Sequence, residues 1–166
     1  MNLGVLREKQ GDRAGAAAAY QLAIDSGHAD AAAAAFQLAI DSAHADQLPT
    51  AARLLGVLRK GQGDRVGAAA AFQLAIDSGH ADAAPRAAVN LGVLRKGQGD
   101  RAGAAAAYQL AIDSGQPDVA PTAAVNLGTL REKQGDPAGA AAAYQLAIDS
   151  GHADAAAVAR EQLSHL

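Results

Sequence analysis

The sequence lacks cysteine and tryptophan, and its 166 residues include only three tyrosines, two phenylalanines and one methionine. The absence of cysteine excludes a disulfide scaffold, a thiolate zinc site and a cysteine nucleophile. Alanine is abundant instead, with 47 copies. Because large apolar side chains are scarce, any core has to form where helices with small side chains approach one another closely.

Charge and long apolar runs are also in short supply. The chain carries 14 basic and 17 acidic residues, a net charge of -3, which argues against nucleic acid as the main partner. No run of about 18 large apolar residues occurs, so no membrane span is predicted. The segment MNLGVLREKQGD lacks a signal-peptide profile, so a cytoplasmic protein is expected. The composition, rich in Ala, Gly, Arg and Asp, fits a GC-rich bacterial genome.

What the sequence does contain is a tandem repeat with a period of 36 residues. The pair Leu-Gly occurs at this spacing at Leu55-Gly56, Leu91-Gly92 and Leu127-Gly128, after a first copy at Leu3-Gly4. A second word, Ala-Ile-Asp-Ser, ends at Ser26, Ser42, Ser78, Ser114 and Ser150. Such periodicity is typical of solenoids, in which each unit buries its apolar face against its neighbours.

Each full unit predicts a helix hairpin. In one copy, apolar residues at three-to-four spacing indicate an amphipathic helix over residues 85–97. These apolar residues are Ala87, Ala88, Leu91 and Leu94. Gly99 can then adopt a left-handed conformation at the helix end, and Asp100 can cap a second helix over residues 101–114. By the same reasoning, Asp118 is predicted to cap the first helix of the following unit.

Four copies of this unit resemble the tetratricopeptide repeat in residue type and relative spacing. The matching positions of one copy are Asn90-Leu91-Gly92, Gln98-Gly99-Asp100, Ala104, Tyr108-Gln109 and Ala111. The period exceeds the family's, which is about 34 residues, and Ala88 and Ala124 replace an aromatic residue early in the first helix. The resemblance implies an all-α fold, a right-handed α-solenoid of stacked helix hairpins with about ten helices.

We interpret residues 1–166 as a single repeat domain with about four full repeats and one partial repeat. Its predicted units are residues 1–30, a partial unit 31–46, then 49–84, 85–120 and 121–154, and a C-terminal helix 155–166. The partial unit copies a second helix without its first helix. Either this lone helix makes a local defect in the solenoid, or residues 20–36 fuse into one long helix and invite exchange between two chains.

The polar words that recur between the helices are interpreted as structural. The histidines of the word His-Ala-Asp lie one repeat apart, so we interpret them as loop residues beside a capping aspartate and not as metal ligands. They are His28, His44, His80 and His152. The word Asp-Ser-Gly-His returns in several units and indicates helix termination, not a catalytic triad. The glycine-rich segment 61–67 lacks the Lys-Ser/Thr pair of a phosphate loop. We expect no enzyme activity, no metal and no cofactor.

Two further rows of equivalent residues are Tyr20, Phe36, Phe72, Tyr108 and Tyr144 and, in the first helices, Arg7, Arg59, Arg95 and Arg131. We predict that the aromatic side chains form the core, because the residues facing them are small. The arginines either form a basic ladder for an acidic peptide, or they pair with the abundant aspartates of the second helices or are simply solvated on one face. We favour pairing or solvation, and an exposed pair stabilises by less than about 1 kcal/mol.

The family resemblance also implies a concave groove, lined by the first helices, that holds a peptide. Carried over position by position, the candidate groove residues are Val5, Glu8, Lys9, Arg53, Val57, Lys60, Arg86, Val89, Asn90, Val93, Lys96, Thr122, Val125, Asn126, Thr129 and Glu132. A subfamily clamps C-terminal carboxylates with a lysine immediately before such an asparagine and a second asparagine three residues after it. This chain has Val89 and Val93 around Asn90 instead, so that clamp is absent.

The function predicted from these patterns is a non-catalytic scaffold that binds a protein or peptide segment of apolar or weakly acidic character. The alternative is a self-assembling module that forms a homodimer by helix exchange or end-to-end stacking, since the units are nearly identical and the chain contains a lone helix. Binding of single-stranded RNA is disfavoured by the net negative charge.

Overall fold

The computed structural model describes residues 48–166, and every element in this range is an α-helix. The helices are α1 (Leu48–Gly61), α2 (Arg65–Asp77), α3 (Ala83–Gly97), α4 (Arg101–Asp113), α5 (Ala120–Glu132), α6 (Pro137–Asp149) and α7 (Ala153–Leu163). The all-α prediction is confirmed for this part of the chain. The predicted units 1–30 and 31–46, with the lone helix, lie outside the described residues. Within residues 48–166, no helix is long and apolar enough to cross a bilayer.

The chain divides at Ala83 into two compact units. In the first unit, α1 packs against α2. In the second unit, α4 packs against α5, α5 against α6 and α6 against α7, while α7 also reaches α5. Helices that follow one another in sequence are therefore neighbours in space within each unit. This is the arrangement of a helix hairpin, as the 36-residue period predicts.

The core combines many alanines with a few large side chains. The largest fully buried side chains are Tyr108, Tyr144, Phe72, Leu55 and Leu127. The prediction that the aromatic residues form the core is confirmed for the three that lie in the described range. Each ring lies on the glycine of the Leu-Gly pair in the preceding helix, so that a methyl group built on Gly92 would come 2.5 Å from Cε1 of Tyr108. The small residues thus allow the close approach that a core poor in large side chains requires.

The turn inside each hairpin follows the prediction. Gly99 has a φ of 81°, in the left-handed region that glycine adopts readily. Asp100 then caps α4, since the backbone N–H of Gly103 donates a hydrogen bond of 2.8 Å to its Oδ1. Asp64 and Asp136 cap α2 and α6 in the same way.

The connection between hairpins corrects two details of the sequence analysis. His152 is itself the N-cap of α7, because the N–H of Ala155 donates to its Nδ1 at 3.3 Å. His80 likewise accepts at Nδ1 from the N–H of Ala83, at 3.2 Å. The interpretation of His152 as a loop residue beside a capping aspartate was therefore wrong. Asp118 was also wrongly predicted as a cap, since the N-cap of α5 is Val119 and has no side-chain hydrogen bond.

Replacing His152 with alanine is expected to destabilise α7 by about 1 kcal/mol, because the N–H of Ala155 loses its acceptor at the first turn. The measurement is urea denaturation combined with hydrogen exchange of the α7 amides. His165→Ala is the control, since His165 lies in the exposed segment after α7. Equal stability and equal exchange in the two variants would show that the imidazole does not act as a cap.

Candidate functional site

The candidate groove residues of α3 lie on one side of that helix. Arg86, Val89, Asn90, Val93 and Lys96 are separated by three or one residues, so their side chains share a face. All five are partly exposed. The face combines two valines, one amide and two cations.

The equivalent residues of α5 form a second face of the same kind. Val125, Asn126 and Thr129 are partly exposed, and Thr122 and Glu132 are exposed. Of the remaining candidates, Arg53 and Val57 are partly exposed and Lys60 is exposed on α1, in the first compact unit. Val5, Glu8 and Lys9 lie outside the described residues.

The two valines nearest the helix centres have a structural role as well. Val93 packs against a buried cluster that contains Tyr108 of α4 and Leu127 of α5. Val125 packs against a neighbouring cluster that contains Tyr144 of α6. The face of α3 and the face of α5 therefore each border a buried cluster, and Val93 and Val125 are only in part available to a ligand.

Asn90 of α3 and Asn126 of α5 occupy equivalent positions, and unlike the valines they have polar side chains that can bind a ligand. Within the part of the chain that the structure describes, the side-chain amides of Asn90 and Asn126 make no hydrogen bond. A free amide offers one acceptor and two donors. We use the term "first-helix face" for the surface formed by Arg86, Val89, Asn90 and Lys96 of α3 and by Thr122 and Asn126 of α5.

The third described hairpin contains a polar cluster at the end of this surface. The hydroxyl of Tyr144 donates a hydrogen bond of 2.9 Å to Oε2 of Glu132 and lies 3.3 Å from Oγ1 of Thr129. Thr129 in turn donates to the carbonyl of Val125 at 3.1 Å. Burial raises the pKa of Tyr144, its hydrogen bond with Thr129 lowers it, and the hydrogen bond to Glu132 and the charge of that carboxylate raise it. Glu132 and Thr129 are thus already engaged.

The preceding hairpin has the same tyrosine without these partners. Tyr108 is fully buried, and its hydroxyl has no hydrogen-bond partner in the described structure. The positions of Thr129 and Glu132 are taken by Val93 and Lys96, one period earlier. Burial raises the pKa of Tyr108 to about 12. The sequence-based prediction treated all five aromatic residues alike. Comparing Val93 and Lys96 with Thr129 and Glu132 in the sequence could have shown that the two tyrosines have different neighbours.

The arginine row is internal to the hairpins. Nη1 of Arg95 donates to the carbonyl of Gly103 at 3.4 Å, and its Nε lies 3.9 Å from Oδ2 of the capping Asp100. Arg59 makes the equivalent pair with Asp64, and Arg131 donates to the carbonyl of Gly139. The interpretation that the arginines pair with aspartates is confirmed for Arg59 and Arg95. The basic ladder is not needed to explain their position.

Replacing Tyr144 with phenylalanine is expected to destabilise the protein by about 1 kcal/mol, because a hydrogen bond to a carboxylate is lost from a well-packed site. Because Glu132 is exposed and can hydrogen-bond to water in the variant, the lost free energy is at the lower end of the range for hydrogen bonds to charged groups. The midpoint of urea denaturation measures the effect. A midpoint equal to or above that of the unmodified protein would contradict the role given to this cluster.

Comparisons with known proteins show the fold. No protein-family model matches the sequence, and no curated protein sequence matches it. Solved structures do match. Two crystal structures of MamA are each 20% identical to this chain. The match to one has a TM-score of 0.66 and covers 90% of this chain and 88% of that MamA chain. The match to the other has a TM-score of 0.67 and covers 93% of this chain and 98% of that MamA chain.

A crystal structure of BtubC (BKLC) from P. vanneervenii, also 20% identical, has a TM-score of 0.69 over 90% of this chain and 63% of its own length. MamA and BtubC are helical repeat proteins similar to tetratricopeptide repeats. At this identity the likeness concerns the fold, and it shows that the fold resembles the tetratricopeptide repeat.

Proposed function

We propose that this chain is a non-catalytic protein-interaction module that binds a peptide segment on the first-helix face. The observation that carries the proposal is the pair of free amides, Asn90 and Asn126, at equivalent places on neighbouring repeats. An extended peptide presents one carbonyl and one N–H per residue, and an asparagine amide can bind both. We further propose that the whole chain forms a right-handed α-solenoid of stacked helix hairpins with about ten helices.

The chemistry of the face favours an apolar or weakly acidic peptide. Val89 supplies apolar surface beside Asn90, and Arg86 and Lys96 supply positive charge. No tryptophan exists in the chain, and the aromatic residues of the described range are buried. Because aromatic anchors dominate many tight interfaces, the expected affinity for a single peptide is modest.

The test is selection of peptides from a displayed random library, followed by affinity measurement with an Asn90→Ala/Asn126→Ala variant. We expect the selected peptides to bind this variant at least about tenfold more weakly, because two amide contacts are lost. The matched control is Gln98→Ala/Gln134→Ala, which removes two amides of the exposed turns at the same 36-residue spacing. Equal loss in the two variants, or no loss in the first, would contradict the proposal. Val93 is left unchanged because it packs against the core.

Self-association is the second candidate function, and one observation favours it. Each second helix that the structure describes exposes a leucine at the same position: Leu74 is 38% exposed, Leu110 is 42% exposed and Leu146 is 51% exposed. Self-association would cover these repeated apolar side chains. Light scattering behind size exclusion over a wide concentration range would detect a species of twice 16.5 kDa.

The variant Leu110→Gln/Leu146→Gln should return such a dimer to the mass of one chain. A dimer that survives both changes would exclude the leucines as its contact. A monomer at all concentrations would exclude self-association altogether and leave peptide binding as the function.

A further inference from the structure

Two consecutive hairpins contain a buried tyrosine at the same position, but the hydrogen-bond partners of the two hydroxyls differ. In the α5–α6 hairpin, a carboxylate from the last turn of the first helix accepts a hydrogen bond from the hydroxyl of Tyr144. In the α3–α4 hairpin, the hydroxyl of Tyr108 has no partner, and the position of that carboxylate is taken by Lys96. The Thr129 position is Val93, which offers no polar atom to the hydroxyl.

We infer that Lys96 and the hydroxyl of Tyr108 form a subsite for a carboxylate of the bound partner. The ligand carboxylate lies relative to Tyr108 as the carboxylate of Glu132 lies relative to Tyr144. The α5–α6 hairpin thus carries its own carboxylate, and the α3–α4 hairpin receives one from outside. The inference rests on the proposed function, since Lys96 is part of the first-helix face, and it specifies where an acidic group of the peptide binds.

The balance of charges and hydrogen bonds supports this subsite. A buried hydroxyl without a partner is costly, and a carboxylate acceptor converts that cost into a charge-assisted hydrogen bond. Lys96 is partly exposed at the surface end of the site and provides a cation beside the same carboxylate. Its stem has four flexible carbons, so the ammonium group can move aside and keep its charge next to the ligand.

The approach to the hydroxyl follows from the equivalent hairpin. Glu132 is an exposed residue at the end of α5, and its carboxylate accepts a hydrogen bond from Tyr144. A ligand carboxylate that takes the equivalent place reaches Tyr108 at the last turn of α3, where Lys96 belongs to the first-helix face. A peptide bound to the amides of that face is therefore well placed to deliver an acidic group to Tyr108.

The α1–α2 hairpin is a natural comparison within the chain. It contains the same valine and lysine, Val57 and Lys60, but Phe72 replaces the tyrosine. Phe72 is fully buried and brings no hydroxyl that requires a partner. The inference therefore assigns a carboxylate subsite to Tyr108 and none to Phe72, although the lysine is present in both.

The carboxylate can come from an acidic side chain or from the C-terminus of a chain, and small probes distinguish these sources. N-acetyl-glutamate N-methylamide offers a side-chain carboxylate, N-acetylglycine offers a terminal carboxylate, and N-acetyl-glutamine N-methylamide is the uncharged control. The readout is the NMR signal of Cζ of Tyr108 and of Nζ of Lys96 in the full chain. We expect one or both carboxylates to shift these two signals in a saturable manner, and the glutamine compound to leave them unchanged.

Variants then assign the effect to the two side chains. Tyr108→Phe should weaken binding of the effective probe by about tenfold, because a hydrogen bond to a charged group is lost. Lys96→Glu should abolish binding and move the Cζ signal of Tyr108 toward that of Tyr144, because the chain now supplies the carboxylate itself. Lys133→Gln, at an exposed position of the neighbouring hairpin, is the control and should bind the probe as the unmodified protein does.

Several results would overturn the inference. These are binding that is unchanged in Tyr108→Phe, an equal response to the glutamine compound, and no shift of either signal by any carboxylate. The proposed function is tested separately, since selected peptides report on Asn90 and Asn126. Peptides that depend on these asparagines but bind Lys96→Glu with unchanged affinity would refute the subsite and leave the peptide-binding function intact.

Discussion

The variant Gly92→Ala is expected to lose about 2–3 kcal/mol of folding free energy, although alanine is the better helix former by about 1 kcal/mol. A Cβ at this position would lie 2.5 Å from Cε1 of Tyr108. In the first unit, a Cβ on Gly56 would lie at the same distance from Cε1 of Phe72. Tyr108 is fully buried, and close packing in a core restricts the movement of such a ring. The added methyl group must therefore push α3 away from α4.

Gly97→Ala is the matched control, because it adds the same methyl group to the same helix where no atom lies within 4 Å. We expect this variant to be unchanged or up to about 1 kcal/mol more stable. Urea denaturation followed by circular dichroism compares the two variants. Similar midpoints for Gly92→Ala and Gly97→Ala would show that the ring of Tyr108 does not depend on a glycine for its contact.

Tyr108→Phe is expected to change the folding stability differently at neutral and at alkaline pH. Near neutral pH the variant should be as stable as the unmodified protein or more stable by about 1 kcal/mol, because a buried hydroxyl without a partner is removed. Phe72 is fully buried in a hairpin with Val57 and Lys60 at the corresponding positions, so a phenylalanine is accommodated at the equivalent place. This result would be opposite in sign to that of Tyr144→Phe.

At alkaline pH the difference should become larger. The pKa of Tyr108 is about 12 in the folded protein, against 10.0 for a free tyrosine. Below pH 10 both states keep the proton and stability is unaffected. Between pH 10 and pH 12 the unfolded state loses its proton first, so stability falls as pH rises, by about 2–3 kcal/mol in total.

Denaturation at several pH values between 9 and about 11.5, in this range of tyrosine ionisation, tests the alkaline effect. The stability of Tyr108→Phe should decline less steeply than that of the unmodified protein, and absorbance near the tyrosinate band, at about 295 nm, should show one late-titrating group fewer. Parallel stability curves would mean that the Tyr108 hydroxyl is not desolvated by its surroundings.

The Tyr108 result bears on function as well as on stability. If a phenylalanine at this position stabilises the unliganded protein while weakening carboxylate binding, the hydroxyl is retained at a cost to folding. Such exchanges of stability for binding are common at functional sites. The combination of both measurements on one variant therefore distinguishes a binding hydroxyl from a core residue that is merely imperfect.

Much of the fold could be predicted because the same helix-forming and turn-forming residues recur in several repeats. The three-to-four spacing indicated α3, and the pair Gly99-Asp100 indicated its end and the cap of α4, all of which the structure confirms. The caps between hairpins were harder to predict, since histidine and aspartate stand two residues apart in one word. Which of them reaches the backbone N–H groups depends on the path of the turn after a left-handed glycine.

The sequence by itself determined the helical hairpins and the aromatic core of the described residues, because these follow from periodicity, and it favoured but did not decide the pairing of Arg59 and Arg95 with aspartates. Only the tertiary structure decided which candidate groove residues are free. Val93 and Val125 border the core, and Glu132 and Thr129 are engaged by Tyr144. Contacts between successive helices decide this, and they depend on pairs of positions 12 and 15 residues apart in sequence. One repeated pattern therefore produces a satisfied tyrosine in one hairpin and an unsatisfied tyrosine in the next.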